Sequence, residues 1–350
     1  MRRLLLPFSW FYGLIVLVRN KAFDWGVLRE ERFGIPVVAV GNLNVGGTGK
    51  SPTVLHLAGL LKNRYKIAIL SRGYGRSTRG FHLVTRETPW REAGDEPLQY
   101  AMQLDHVTVA VCESRREGIR RLLSHDPGIN LVLLDDAYQH RYVMPDCRIL
   151  LTTYARPWYD DNLLPAGRLR EPASASRRAD IVVVTKCPVL PGPAERESFS
   201  RKLGLKPVQE LFFSSIRYRE MLSGLYGEVT SVSELKSKSV LLFCGIADPS
   251  PLLSWVMEHA GSVEMKQFAD HHDFTVSDLV QLRKSFDRLS QKGPACMITT
   301  RKDAMRLQES ESRTHLVSLP VWIADMETEF SPMGNRNFDE AVLSRVRRNS

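Results

Sequence analysis

Apolar and polar residues group along this chain into blocks that predict strands and helices in alternation. The strand-like runs have few polar interruptions, which indicates strands covered on both faces of a sheet. In the first half they are Ile35–Val40, Lys66–Leu70, His106–Cys112, Asn130–Leu134, Arg148–Thr152 and Asp180–Thr185. Segments with helical spacing, such as Glu113–Ser124, separate them. The alternation predicts an α/β fold built on a doubly wound, mostly parallel sheet.

A second, smaller series of the same kind follows a stretch rich in Pro, Gly, Glu and Arg at Pro188–Pro207. Its strands are expected at Val240–Cys244, Val263–Phe268 and Ala295–Thr300. We expect Val321–Phe330 to return as a strand beside Leu211–Tyr218. The pattern thus predicts an N-terminal helix (1–30), a large domain (31–222), a connector (223–239), a smaller α/β domain (240–320), and a return strand with a C-terminal helix (321–350).

The N-terminus carries an uncharged apolar segment, Leu4–Val18, with basic residues on both sides. As a helix its fifteen residues would extend about 22 Å, short of the roughly 30 Å hydrocarbon core of a bilayer. Trp10, Phe11 and Tyr12 are types that favour the headgroup boundary, and basic flanks suit anionic lipid. We expect a helix that dips into a membrane face; the alternative is a helix packed on the protein's own core.

Composition adds information about the partner and the compartment. Apolar residues make up 43% and charged residues 25% of the chain, as in soluble globular proteins, but the formal net charge is +9. A basic chain favours an anionic partner. Because no basic tail or nucleic-acid-binding signature is present, we expect no nucleic acid and favour a membrane surface or a phosphorylated substrate. The five scattered cysteines lack zinc spacing and indicate reduced thiols in a cytosol-facing protein.

The strongest candidate chemistry lies in a glycine-rich turn, Gly41–Pro52, between a strand-like run and a helical pattern. In such a loop, backbone N–H groups face phosphate oxygens, the lysine reaches the β- and γ-phosphates, and the serine hydroxyl can ligate Mg²⁺. The candidate nucleotide-binding residues are Asn44, Val45, Gly46, Gly47, Thr48, Gly49, Lys50 and Ser51. The strict pattern has glycine where this chain has Asn44; because asparagine tolerates left-handed backbone, we expect the loop to close.

Another apolar run ends in two acids, since Leu131–Leu134 is followed by Asp135 and Asp136. In a phosphate-binding α/β fold, a strand beside the loop strand ends in an acid that holds Mg²⁺ directly or through water. An aspartate that caps the next turn is the alternative interpretation.

Further strings occur in a fixed order along the chain. They are Ser71–Gly75 (SRGYG), Gly94–Pro97 (GDEP), Asp135–His140 (DDAYQH), Leu164–Glu171 (LPAGRLRE), Gly245–Ala247 (GIA) and Asp270–His272 (DHH). With the glycine-rich loop and the apolar N-terminus, they closely resemble the tetraacyldisaccharide 4′-kinase family, the lipid A 4′-kinases of Gram-negative bacteria. The resemblance runs from about Leu4 to beyond Asp303.

The resemblance implies a P-loop NTPase-like fold and a phosphotransferase activity. The family uses ATP and Mg²⁺ to phosphorylate the 4′-hydroxyl of a tetraacylated glucosamine disaccharide 1-phosphate, which gives the bisphosphorylated lipid A precursor. It also implies a peripheral enzyme at the cytoplasmic face of the inner membrane, with that anionic glycolipid as its partner. We expect a monomer.

Individual roles also follow from the resemblance. Lys50 would contact the phosphates, and Ser51 and Asp135 would handle Mg²⁺. Asp95 matches the acid beside the acceptor hydroxyl, and His271 matches a histidine of the second domain that pairs with it. A base there can accept the hydroxyl proton, a contribution of about 10²–10⁴-fold in rate. The supporting positions are Asp136, His140 and Asp270, together with Arg115, Arg170 and Glu171, which match positions at the active-site rim.

The chain departs from the family pattern in two places. Ala137 stands where the family usually has glycine; alanine there demands a less permissive backbone, and we expect a slight shift of His140. The adjacent His272 leaves an ambiguity of one residue in the choice of the histidine. At the Asn44 position, the family itself is not reliably glycine. If His271 acts, the second domain must close onto the first.

Three other classes of function fit less well. A GTPase would carry Asn-Lys-x-Asp after a strand, but Pro188 follows Thr185-Lys186-Cys187 where the base-reading aspartate would be. A membrane-bound P-loop ATPase that acts on proteins leaves Asp95 and the apolar N-terminus unexplained. A lipid-binding module without catalysis does not account for Lys50 with Ser51.

Overall fold

The computed structural model describes residues 2–225, 227–270, 272–307, 315–316, 318–331 and 336–347. Its strands are β1 (Val37–Asn42), β2 (Ile67–Ser71), β3 (His82–Val84), β4 (Thr108–Val111), β5 (Leu131–Leu134), β6 (Cys147–Thr153), β7 (Ile181–Thr185), β8 (Glu210–Tyr218), β9 (Met221–Gly224), β10 (Val229–Ser231), β11 (Ser239–Cys244), β12 (Ser262–Gln267), β13 (Ala295–Thr300), β14 (Val321–Ala324) and β15 (Met326–Phe330). Its helices are α1 (Leu6–Asp24), α2 (Lys50–Leu61), α3 (Trp90–Ala93), α4 (Asp95–Gln103), α5 (Arg115–His125), α6 (Pro193–Leu203), α7 (Ser250–His259), α8 (Val276–Ser290), α9 (Arg301–Arg306) and α10 (Phe338–Arg347).

The described strands form two sheets. The larger has the order β15-β8-β7-β6-β1-β5-β2-β4-β3, and the smaller has the order β10-β9-β14-β13-β11-β12. From β8 to β4 the neighbours in the larger sheet run parallel, and β3 is antiparallel. In the smaller sheet β12, β11, β13 and β14 are parallel, while β9 and β10 are antiparallel additions. The predicted fold, a mostly parallel α/β sheet with a second smaller α/β unit, is confirmed.

The larger sheet is covered on both faces, because all six residues of β1 are buried. Two separate apolar clusters pack against the sheet. One includes Val37, Ala39, Ile119 and Leu122, and the other includes Leu150, Trp158, Val182 and Leu211. This double covering is the physical reason for apolar runs without polar alternation.

The chain forms two compact units. The first comprises Met1–Arg86, Tyr100–Ile216 and Thr328–Ser350, and the second comprises Glu87–Gln99 and Arg217–Glu327. The second unit therefore takes in a segment from between β3 and β4, which the sequence pattern placed in the large domain. A turn followed by a short helix gives no local signal of the unit on which it packs.

The segment Val321–Phe330 differs in part from the expected return strand. It is divided by the buried Asp325 into β14, which extends the smaller sheet, and β15, which lies beside β8 in the larger sheet. Arg301 holds Asp325 by an ion pair that includes a 2.8 Å contact from Nε to Oδ1. Only β15 has the predicted neighbour.

The N-terminal helix α1 packs one narrow stripe on the first unit. Ser9, Val16 and Phe23, seven residues apart, are buried. The Ser9 hydroxyl donates to the carbonyl of Leu163 at 3.0 Å, and the Tyr12 hydroxyl donates to the carbonyl of Arg170 at 2.8 Å. In the part of the chain that the structure describes, no helix has both the length and the apolar character that crossing a membrane requires.

Candidate active site

The glycine-rich loop joins β1 to α2 at the carboxyl edge of the larger sheet. Gly49 has φ +82°, a left-handed backbone that a side chain rarely adopts, and α2 begins at Lys50 directly after it. The first turn of a helix directs backbone N–H groups at an anion bound there. The strand–loop–helix geometry that the sequence predicted is present, and phosphate binding by the loop stays a prediction.

The backbone conformation of Asn44 is set by pairing with the segment around Leu169. The backbone of Asn44 forms an antiparallel bridge with Leu169, and Val45 N–H donates to Arg168 C=O at 2.8 Å. The Asn44 side-chain amide donates to Asp161 Oδ2 at 3.2 Å. Because this position is strand-like rather than left-handed, it does not need the glycine of the strict loop pattern.

Lys50 reaches back across the loop to two oxygens. Its Nζ lies 3.4 Å from Asn42 Oδ1 and 3.4 Å from Asp136 Oδ1, and its side chain is 10% exposed. Arg170 Nη1 contacts both carboxylate oxygens of Asp136, at 3.1 and 3.0 Å. Burial would raise the pKa of Asp136, but Lys50 and Arg170 outweigh it and lower the pKa to about 2. Asp136 is therefore ionised and serves as a counter-ion to both cations.

Asp135 occupies a different environment from its neighbour. It is fully buried at the end of β5, the strand next to β1, and its Oδ2 accepts a 3.1 Å hydrogen bond from the Ser71 hydroxyl. The left-handed backbone of the DDAYQH string falls on Asp136, with φ 46°, rather than on Ala137. Alanine at 137 is therefore compatible with the turn, and the expected strain there is not found.

Burial lowers the pKa of two of the supporting residues, Arg115 and His140. The guanidinium of Arg115 donates to the carbonyls of Cys112 and Asp135 at 2.8 and 2.9 Å, so it braces the ends of β4 and β5. It is 2% exposed, and burial lowers its pKa to about 10. Burial, assisted by Arg115 and Arg72, lowers the pKa of His140 to about 3, which keeps that imidazole neutral. The resemblance placed Arg115 at the site rim, and in the structure its side chain is buried against the ends of β4 and β5.

Arg170 and Glu171 lie side by side with different tasks. Arg170 binds Asp136, as described above, whereas the carboxylate of Glu171 is buried and ion-paired with Arg178. Glu171 Oε1 also accepts from the amide of Asn20 in α1 at 3.2 Å. The LPAGRLRE string thus connects α1 to the acids at the end of β5.

Asp95 lies in the second unit, at the start of α4, and is 5% exposed. Arg306 Nη2 contacts its Oδ2 at 2.5 Å, and Arg306 Nη1 contacts Asp303 Oδ1 at 3.1 Å. Lys302 Nζ contacts the carboxylate of Glu96 at 2.7 Å. None of these three partners on α9 was identified as a candidate from the sequence. The available signal was a charged Arg-Lys-Asp triplet directly after the apolar run of β13.

Of the two candidate histidines, the structure describes His272. His271 lies outside the described residues. His272 contacts Asp278 Oδ2 through Nε2 at 3.0 Å and stacks on Phe268 with ring centroids 4.8 Å apart. Asp278 also caps α8 together with Thr275. Asp270 is exposed.

The loop residues fit a nucleotide with Mg²⁺. The Thr48 hydroxyl is buried and has no hydrogen-bond partner within the described part of the chain, while its carbonyl accepts from Thr185 at 2.8 Å. A phosphate oxygen would satisfy such a donor. Among the described residues, no cluster of three or more His, Cys, Asp or Glu side chains could hold a metal alone. Mg²⁺ bound with phosphates needs only one or two protein oxygens, which Ser51 and Asp135 would provide.

Comparisons with known proteins agree on one family. Residues 1–347 match the sequence profile described as tetraacyldisaccharide-1-P 4′-kinase, LpxK. The chain is 42% identical to the tetraacyldisaccharide 4′-kinase of Bacteroides thetaiotaomicron, over 99% of this chain and 93% of that protein. It is 40% identical to the Flavobacterium johnsoniae protein of the same name, over 100% and 98%. The crystal structure of LpxK from Aquifex aeolicus in complex with ATP superposes with a TM-score of 0.76, at 31% identity and 99% coverage of both chains.

Proposed function

The chain belongs to the tetraacyldisaccharide 4′-kinase family, and on that premise we propose how its residues carry out the reaction. The reaction transfers the γ-phosphate of ATP, with Mg²⁺, to the 4′-hydroxyl of a tetraacyl disaccharide 1-phosphate. It is a step of bacterial lipid A biosynthesis. The observation that carries the assignment to this chain is the loop of residues 44–51, with Lys50 opposite the acids at the end of β5.

Lys50 is proposed to leave its contact with Asp136 for the β- and γ-phosphates when ATP binds. Arg170 keeps its two contacts with Asp136 and so prevents a bare carboxylate from facing the phosphates. Ser51 and Asp135 would hold Mg²⁺, which neutralises phosphate charge during transfer. Positioning and charge neutralisation are the main requirements of this chemistry.

Asp95 is proposed to accept the proton of the 4′-hydroxyl, with His271 as its partner. His272 is the weaker candidate because Asp278 and two aromatic rings, Phe268 and Phe274, already hold its imidazole. Burial alone would raise the pKa of Asp278, but hydrogen bonds from Thr275 and His272 lower it. An ionised Asp278 at the helix N-terminus retains its contact with His272 and supports the choice of His271.

The test of the function is direct transfer. Purified protein is incubated with γ-labelled ATP, Mg²⁺ and tetraacyl disaccharide 1-phosphate in mixed micelles, and the lipids are separated. We expect label in a bisphosphorylated lipid, with none when the acceptor 4′-hydroxyl is blocked by methylation. ATP hydrolysis without labelled lipid would instead support the P-loop ATPase alternative.

The protein is proposed to act at the cytoplasmic face of the inner membrane, as a peripheral monomer. The exposed face of α1 supports this location, since it presents a row of apolar side chains: Phe8, Trp10, Phe11, Leu14, Ile15, Leu17 and Val18. Exposed apolar surface of this extent is unusual on a soluble protein and marks an interaction site. The net charge of +9 suits an anionic lipid surface.

Changing Trp10 and Leu14 to glutamate is expected to weaken binding to anionic vesicles by at least about tenfold, since each buried side chain contributes about 1.5–3 kcal/mol. KM for the lipid should rise while KM for ATP stays unchanged. Both side chains point away from the buried stripe, at 71% and 55% exposure, so the fold should be retained. Vesicle sedimentation and steady-state kinetics measure the two effects.

The matched control changes Val189 and Val208 to glutamate, which are 77% and 76% exposed in the same unit but lie outside α1. It adds the same negative charge and should bind vesicles like the wild type. Equal binding by the α1 variant and this control would show that the face of α1 does not contact lipid.

A further inference from the structure

Asp95 is held by a buried cluster of charged side chains, Arg306 and Asp303, to which the proposed reaction assigns no role. The cluster lies at the carboxyl ends of the parallel strands β12, β11 and β13, the edge at which α/β sheets place their sites. Gly245 follows β11, and α9 follows β13. Arg306, the last residue of α9, connects these backbone segments to Asp95, and its side chain is 1% exposed.

The position of Arg306 is itself determined by Asp303. The Gly245 N–H donates to both carboxylate oxygens of Asp303, at 3.1 Å each, and the Thr300 hydroxyl donates to Oδ2 at 2.6 Å. A side chain at 245 would meet Ala269 O at 2.9 Å, so glycine is required for this close approach. Asp303 therefore cannot turn, and it holds Nη1 of Arg306 while Nη2 points at Asp95.

The segment that carries Asp95 is fastened to α9 at two successive residues. Arg306 contacts Asp95, and Lys302, four residues earlier on the same face of α9, contacts Glu96. The two contacts differ in burial, because the Lys302 side chain is 28% exposed and that of Arg306 is 1% exposed. A buried, planar guanidinium fixes the direction of a carboxylate, whereas an ammonium group acts as a point charge.

The placement of Arg306 between two buried acids favours their ionised forms. Asp95 and Asp303 are both buried, and Arg306 lies between them. Burial, together with the charge of Asp95, raises the pKa of Asp303 even with Arg306 present. Two buried carboxylates without a cation between them would repel each other, and one would take up a proton.

We propose that Arg306 is a positioning residue for phosphoryl transfer, which aims the Asp95 carboxylate and acts on the reaction only through it. The proposal rests on the proposed role of Asp95. Arg306 touches neither substrate in this scheme, so its removal changes kcat and leaves KM for ATP unaltered. A purely structural residue would lower activity independently of Asp95.

A double-mutant cycle tests this dependence. The kcat of four proteins is measured: wild type, Asp95→Asn, Arg306→Gln and the double variant. Labelled ATP makes the assay sensitive enough to detect a further hundredfold loss below the kcat of Asp95→Asn. We expect Asp95→Asn to lower kcat by about 10²–10⁴-fold and Arg306→Gln by about 10–10²-fold. The double variant should be no slower than Asp95→Asn alone. Losses that multiply, or an unchanged kcat in Arg306→Gln, would overturn the proposal. Wild-type kcat in Asp95→Asn would instead overturn the role of Asp95.

The matched control is Arg301→Gln, because Arg301 lies on the same helix and forms a similar ion pair with the buried Asp325. It should change kcat by less than about threefold. A loss equal to that of Arg306→Gln would show that α9 acts through its stability alone. If Arg306→Gln does not fold, Arg306→Lys replaces it in the cycle. If Arg306→Lys lowers kcat partially in the wild type and has no effect on kcat in Asp95→Asn, the proposal is supported. If it lowers kcat equally in both proteins, the proposal is refuted.

Discussion

Replacing Lys50 with methionine is expected to lower kcat by at least about 10²–10³-fold and to weaken ATP binding. The methionine keeps the apolar stem in its buried position and removes only the ammonium group. Asp136 retains both contacts with Arg170, so no unpaired carboxylate is left and the fold should persist. Titration calorimetry with ATP and the labelled transfer assay measure the two losses.

Lys62→Met is the matched control for this variant, because Lys62 lies at the exposed C-terminal end of the same helix. Its kcat and ATP affinity should equal those of the wild type. If Lys50→Met kept wild-type kcat with an unaltered melting temperature, the loop of residues 44–51 would not be the site of phosphate transfer.

Asp95→Asn is expected to lower kcat by about 10²–10⁴-fold without changing ATP affinity. The amide keeps the size of the side chain and can still accept the 2.9 Å hydrogen bond from Glu96 N–H, but it cannot accept a proton. Arg306 keeps Asp303 as a counter-ion, which argues for a folded variant. Unaltered ATP affinity is expected because the proposed contact of Asp95 is with the acceptor hydroxyl and not with the nucleotide.

The control for Asp95 is Asp287→Asn on α8, an exposed acid of the same unit whose nearest cation, Arg283, is 4.0 Å away. It removes the same charge and should leave kcat unchanged. A parallel loss of ATP affinity and kcat in Asp95→Asn would contradict a role limited to the acceptor hydroxyl. The two active-site variants thus separate nucleotide binding from proton transfer.

The parts of the fold that follow from local pattern could be predicted from the sequence. The strands β1, β2 and β4 to β7 are apolar runs because the sheet is covered on both faces, and a run of that kind is visible in the sequence; the short, partly exposed edge strand β3 (His82–Val84) was not predicted. The glycine-rich loop was also predictable, because its spacing, Lys50 and Ser51 are all local features.

The features that could not be predicted depend on distant partners. Asn44 departed from the loop pattern because its backbone pairs with Leu169, which is remote in sequence. Val321–Phe330 is split between two sheets at Asp325, whose ion-pair partner Arg301 lies 24 positions away in the sequence. Periodicity reports which face of a segment is apolar, and it carries no information on such partners.

The candidate site shows the same division. The acids after β5 were found from the apolar run that they follow, and Asp95 from a string that resembles a family, whereas Arg306 stands in no such pattern. Its importance comes from a contact between residues 211 positions apart. The roles assigned to Asp95 and His271 stay predictions, to be decided by the variants described above.

The helix α1 is joined to the nucleotide loop by a short chain of contacts, from the Tyr12 hydroxyl to the Arg170 carbonyl, from the Arg170 guanidinium to Asp136, and from Asp136 to Lys50. A helix joined to the rest of the protein only by a flexible linker would let the nucleotide loop reorient freely above a bilayer. If α1 docks on a bilayer as proposed, contacts this direct would leave the protein two translations in the plane and one rotation about the normal. The loop would then keep a constant height and tilt, and its search for the acceptor hydroxyl of the proposed lipid substrate would become two-dimensional.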